Sequence, residues 1–172
     1  MAYCPINLAG IAGSCDTSIG GVKKVYIAQY KDNIFSLDAD GEYVDSVDSG
    51  TTFYEYAFKK GVAHFETAQA KDNAAGSNLY TTTLYIQFAR MDGAKRKEME
   101  SITKGDTAIV VLDANGKYWA LGFDNPIDGV GNSQTGTAST DGNFYGITLT
   151  DDALQFPFEL SADAVASMNI HA

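Results

Sequence analysis

The chain has 172 residues, a formal net charge of −10, a pI near 4.4, and an aromatic content dominated by tyrosine and phenylalanine. That length fits one domain, with or without extended arms, and supplies enough residues for a hydrophobic core. The acidity argues against a basic nucleic-acid groove, because phosphate binding needs clustered Lys and Arg, and no apolar run approaches the ~20 residues of a membrane span.

Residues 1–21 read as an N-terminal arm. The segment 8–15 (LAGIAGSC) ends on a cysteine as a lipoprotein signal does. However, no basic residue precedes it, and Pro5 and Asn7 interrupt the approach to it, so it reads as a small-residue arm lying on a neighbouring surface. Cys4 and Cys15 lack nearby Cys or His partners for a metal site, since His64 and His171 are far away in sequence; free thiols and a Cys4–Cys15 disulfide both remain open. No cofactor or metal is expected.

Residues 22–161 read as the folded domain. Alternation in 22–30 (VKKVYIAQY), after the Gly20-Gly21 breaker, predicts the first core strand. The acidic, turn-rich stretch 31–52 predicts one or two short strands in a long loop. Residues 53–60 and 62–71 read as two strands joined as a hairpin at Lys60-Gly61. Residues 79–90 place Tyr80, Thr82, Leu84, Ile86 and Phe88 on one face of a long, central strand.

Charged helix formers around Met99 and Ile102 predict a helix at about 93–104, ended by Gly105. The stretch 107–112 (TAIVVL) is apolar on both faces and predicts a strand covered on both sides. Asn115-Gly116, between that run and 117–123 (KYWALGF), predicts a hairpin turn, because both residues tolerate positive φ. Residues 125–142, rich in Gly, Ser and Thr, read as a long exposed loop. Residues 143–150 and 153–160 read as closing strands, the second an edge strand carrying Pro157 outward. Residues 162–172 read as a tail. The fold expected is mainly β, an antiparallel β-sandwich or partly open barrel of about eight strands with one flanking α-helix.

No constellation singles out a catalytic centre, and an enzyme is not expected. The glycine-rich 129–142 lacks the Gly-Lys-Ser/Thr ending of a phosphate loop. In 38–41 (DADG) the glycine comes too early for a calcium loop, which leaves an acidic turn. Glu55 and Glu66 could pair as in a glycosidase, yet nothing marks them out from the other acids. His64 sits in a strand without the partner pattern of a nucleophile's base, and Trp119 reads as core.

The charge is distributed unevenly. Arg90, Lys95, Arg96, Lys97 and Lys104 concentrate around the helix, whereas Tyr118 to Ala172 contains no Lys or Arg and carries Asp124, Asp128, Asp151, Asp152 and Glu159. Ordinary solvated surface would explain this. So would a heterologous subunit contact in which the basic helix of one copy meets the acidic strands of the next and closes a ring.

Residues 15–28 (CDTSIGGVKKVYIA), the hairpin 109–122 (IVVLDANGKYWALG) and the region from Thr135-Gly136-Thr137 to Leu149, taken in order with the helix, resemble the tail-tube and tail-ring structural proteins of phages infecting gut Bacteroidales, including the crAss-like phages. The resemblance covers most of the chain. It implies a tail-tube-like virion protein, assembled in the host cytoplasm into a six- or twelve-fold homo-oligomeric ring. Neighbouring tail-ring, tail-tube or portal proteins would be its partners, and DNA would slide through an acidic lumen without specific binding. A capsid head decoration protein or adhesin-like binding module is the alternative.

Overall fold

The computed structural model describes residues 8–171. The protein is mainly β: two sheets packed face to face, with a helix at their side and no closed barrel. The strands are β1 (Val22–Gln29), β2 (Phe35–Leu37), β3 (Tyr43–Val47), β4 (Thr52–Ala57), β5 (Ala63–Asp72), β6 (Ser77–Ala89), β7 (Thr107–Asp113), β8 (Tyr118–Leu121), β9 (Asp128–Gln134), β10 (Phe144–Ala153), β11 (Phe158–Leu160) and β12 (Asn169–His171). Helix α1 (Gly93–Lys104) follows β6, and α2 (Ala162–Ser167) precedes β12. Eight strands form one sheet in the order β12-β4-β1-β7-β8-β11-β3-β2, and four form the other in the order β5-β6-β10-β9.

The doubly apolar β7 explains the architecture. Ile109 and Val111 face the core between the sheets, with Val25, Leu84, Ile86, Ile147 and Leu149, and α1 adds Met99 and Ile102 to that core. Ala108 and Val110 point the other way, into a second core with Tyr26, Phe53, Val44 and Leu160. The larger sheet rolls around this second core until Phe35 of β2 meets Phe53 of β4, ring centroids 6.4 Å apart. Its two ends thus approach each other without joining the ladder.

Helix α1 begins where Asp92 accepts the Lys95 N–H at 2.8 Å, which satisfies an orphan donor of the first turn. That bond, the Lys95 ammonium and the helix N–H groups hold the Asp92 carboxyl below the usual carboxylate range. The helix packs on β9 at Gly129, where an added Cβ would lie 3.1 Å from Leu149 and 3.3 Å from the Thr103 backbone. Glycine is what lets helix and strand approach this closely.

Several expectations are corrected. β4 and β5 are not hairpin partners: β4 pairs with β1, β5 pairs with β6, and the Lys60-Gly61 corner carries the chain from one sheet to the other. The hairpin expected at Asn115-Gly116 does form, β7 pairing with β8 from Ile109↔Leu121 to Leu112↔Tyr118, and its turn is a three-residue loop in which Gly116, at φ 87°, takes the left-handed position. The bond from the Asp113 N–H to the Lys117 carbonyl, 2.9 Å, closes it.

The expected loop 125–142 contains β9, paired with β10 from Phe144↔Gln134 to Thr150↔Asp128. The expected strand 153–160 shrinks to β11, which lies inside the sheet between β8 and β3 rather than at an edge. The tail expected at 162–172 carries α2, whose Ala164 is buried in the second core, and β12, which pairs with β4. Residues 8–21 carry no helix or strand and are exposed in the single chain. Cys15 is an exposed free thiol, while Cys4 lies outside the described residues.

Gly129→Val should lever α1 off β9 and lower unfolding stability by about 1–3 kcal/mol. Gly20→Ala, with nothing within 4 Å of its added Cβ, should stay within about 0.5 kcal/mol of wild type. Urea unfolding of both variants checks this pair, and equal stabilities would contradict the packing described.

Candidate functional site

The cations predicted from sequence lie together around α1, but much of their charge is already engaged. Lys95 Nζ donates to the carbonyls of Ala89 and Arg90, each at 2.9 Å, and pairs with Asp92 at 3.1 Å. Arg96 and Lys104 both reach Glu100, at 2.6 and 3.6 Å. Exposed pairs of this kind contribute little stability, yet they blunt the basic face. Arg90, at φ 63° in the turn out of β6, and Lys97 have no ion pair among the described residues.

The acids divide into separate sites. Asp124, Asp151 and Asp152 meet at the end of β10, with Asp128 beside them at the start of β9. Glu159 lies apart on β11, paired with Lys117. Asp152 accepts the Thr81 hydroxyl at 2.7 Å, and Asp124 accepts the Leu154 N–H at 3.0 Å.

Asp151 is only 3% exposed and so is withdrawn from any surface contact. Its Oδ2 accepts the Gly122 N–H at 2.9 Å, and its Oδ1 has no partner. Burial, against the opposing pull of that N–H and with help from Asp124 and Asp152, pushes its pKa up to about 6.

The other residues weighed for chemistry are dispersed. Glu55 pairs with Lys24 on the larger sheet, whereas Glu66 stands on the smaller one, opposite Thr83. Asp38 accepts the N–H groups of Glu42 and Tyr43, forming a turn. Trp119 Nε1 donates to Asp113 at 3.1 Å, and its ring packs toward Phe65. Among the described residues, no group of three His, Cys, Asp or Glu is arranged to hold a metal ion. No helix among them is long and apolar enough to cross a membrane.

Sequence reading missed the outward face of the four-stranded sheet. Leu84, Ile86, Ile147 and Leu149 point inward, so the register sends Thr81, Thr83, Tyr85, Thr148 and Thr150 outward. Glu66, Asp72, Asp128 and Asp152 share that outward face, as does the exposed His64, and the described residues of these four strands put no Lys or Arg there. Thr148 and Thr150 flanking Leu149 in β10, and Thr83 and Tyr85 flanking Leu84 in β6, were the available period-two signal. It stayed incomplete because β9 was hidden in a segment of loop-like composition.

Comparison with protein-family models, with curated proteins and with solved structures finds no match. The geometry of these surfaces therefore carries the functional reading.

Because the folded-state pKa of Asp151 lies above the unfolded value of about 3.9, its contribution favours the folded state at low pH and is lost as pH rises toward about 6. Relative to Asp151→Asn, wild type should gain about 1 kcal/mol of unfolding stability between pH 7 and pH 5. Parallel stability curves for the two proteins would contradict a buried, unpaired carboxyl.

Proposed function

We propose that the protein is a phage virion structural protein, a subunit of a homo-oligomeric ring or tube at the head-tail junction or in the tail, surrounding the DNA channel. The observation that carries this reading is the four-stranded sheet, with its two open edges and one open, cation-free face. Among the described residues, β5 pairs as a strand with β6 alone and β9 with β10 alone. Unpaired edges invite another strand.

The sheet is antiparallel throughout, so β5 and β9 run in opposite directions. Rotation about an axis parallel to the strands would bring β9 of one copy beside β5 of the next in antiparallel register, a heterologous contact that closes into a ring. The eight-stranded sheet covers the inward face of these strands and is too bulky for a lumen, so it would take the outside. The threonine-lined, lysine-free face would then line the channel. Carboxylates there repel phosphate, and the absence of Lys and Arg removes the means of holding it, so DNA slides.

The six-fold closure implied by the resemblance would join about 24 strands at ~4.8 Å spacing, giving a backbone diameter of roughly 37 Å before strand tilt. That is wider than a DNA duplex. Neighbouring tail-ring, tail-tube or portal proteins would continue the channel above and below.

Across a concentration series, native mass spectrometry and negative-stain microscopy should find closed rings or tubes whose masses are multiples of 18.4 kDa. Monomers at every concentration, with and without portal and tail proteins, would overturn the proposal. Binding to empty heads without ring formation would support a decoration module instead.

A further inference from the structure

The four-stranded sheet also has two unlike ends, set apart by the thirteen residues of β6, or about 40 Å. At the β10 exit, residues 154–157 turn out of the ladder, leaving Leu154 68% and Phe156 57% exposed. These side chains are not on a loose loop. The Leu154 N–H is held by Asp124, the Asn125 side chain donates to the Asp152 carbonyl at 3.0 Å, and the Phe156 ring meets Tyr80 edge-on at 4.6 Å. Asp124 and Asp152 stand at the base of this knob, and Lys71 and Asp72 line a groove with Leu154.

At the opposite end of β6 lies a groove of about 380 Å³ lined by Ala57, Phe58, Val62 and Phe88, with Lys59 and Lys95 at its rim. Phe58 and Phe88 meet edge-on at 6.3 Å, which leaves an aromatic floor that is only partly covered. Lys60 and Arg90 stand at the same end; of the acids there, Asp92 is paired to Lys95 and Glu98 accepts the hydroxyl of Tyr56, whose ring meets Phe88 edge-on. Tyr80, beneath the knob, and Phe88, in the groove, project from the same face of the same strand.

We infer that copies of this chain stack end to end along the β6 direction, the Leu154/Phe156 knob of one copy seating in the Phe58/Phe88 groove of the next. The aspartates around the knob then meet Lys59, Lys60 and Arg90. Apolar fit supplies the contact and opposite charge sets its polarity. The contact is heterologous and does not close on itself, so it propagates as a column. It uses the sheet's ends, whereas ring closure uses its edges. The inference thus adds an axial contact to the ring reading on which it rests.

The test is sedimentation velocity with negative-stain microscopy on wild type, Leu154→Ser/Phe156→Ser, Lys59→Glu, Asp152→Lys, and an equimolar mixture of the last two. All four positions are exposed in the single chain, so folding should survive, and circular dichroism checks it. Wild type should form columns. The Ser double variant and each charge variant should stack about tenfold more weakly or worse, still giving single rings of wild-type copy number, and the mixture should recover contacts between unlike copies. Rings that stack as wild type despite the Ser substitutions would overturn the inference and leave the ring proposal standing. Wild type that never associates, even at the highest concentration, would overturn both.

Discussion

The structure depends on the burial of β7 from both sides. A strand carrying Ile109 and Val111 toward one core and Ala108 and Val110 toward another must sit between two layers. Fully burying each large aliphatic side chain contributes about 1.5–3 kcal/mol, so exposing either face would cost a large share of a domain's net stability. The larger sheet answers one face by rolling over it. The four-stranded sheet and α1 answer the other. The smaller sheet is thereby committed through its inward face and left open at its outward face and at both edges.

What was legible in the sequence follows from periodicity. Alternation placed β1 and β6, the three-residue spacing of Met99 and Ile102 placed α1, and the unbroken run before Asp113 revealed a strand buried on both sides. Failures came where local pattern is silent about partners. Residues 53–71 read as a hairpin because two amphipathic strands flank a glycine, but the preferences of Phe53 for one core and Phe65 for the other pull them into different sheets. β9 was invisible because its strand character is imposed by β10 and its glycines are there to admit a helix. The C-terminal segment read as a tail because six helical residues and three strand residues carry too little pattern to stand out.

Charge was the most informative and most misleading feature of the sequence. The excess of acid toward the C-terminus is real, but folding distributes it among a buried carboxyl at Asp151, a turn clamp at Asp124, an ion pair at Glu159 and the exposed Asp128 and Asp152. The basic helix likewise spends three of its cations on its own acids. A direct helix-to-acid-strand contact is therefore weaker than linear charge counting implies. The surface that remains distinctive is the outward threonine face, where the described residues of the four strands place carboxylates and no Lys or Arg.

Hydrogen exchange on the monomer and on the assembled protein tests the central claim, that the free edges of the four-stranded sheet join subunits, most directly. The account predicts that amides of β5 and β9 pointing away from their existing partners exchange rapidly in the monomer and become strongly protected on assembly, while β6 and β10 are protected in both. Assembly that protects α1 or the β2 edge while β5 and β9 stay fast would contradict it.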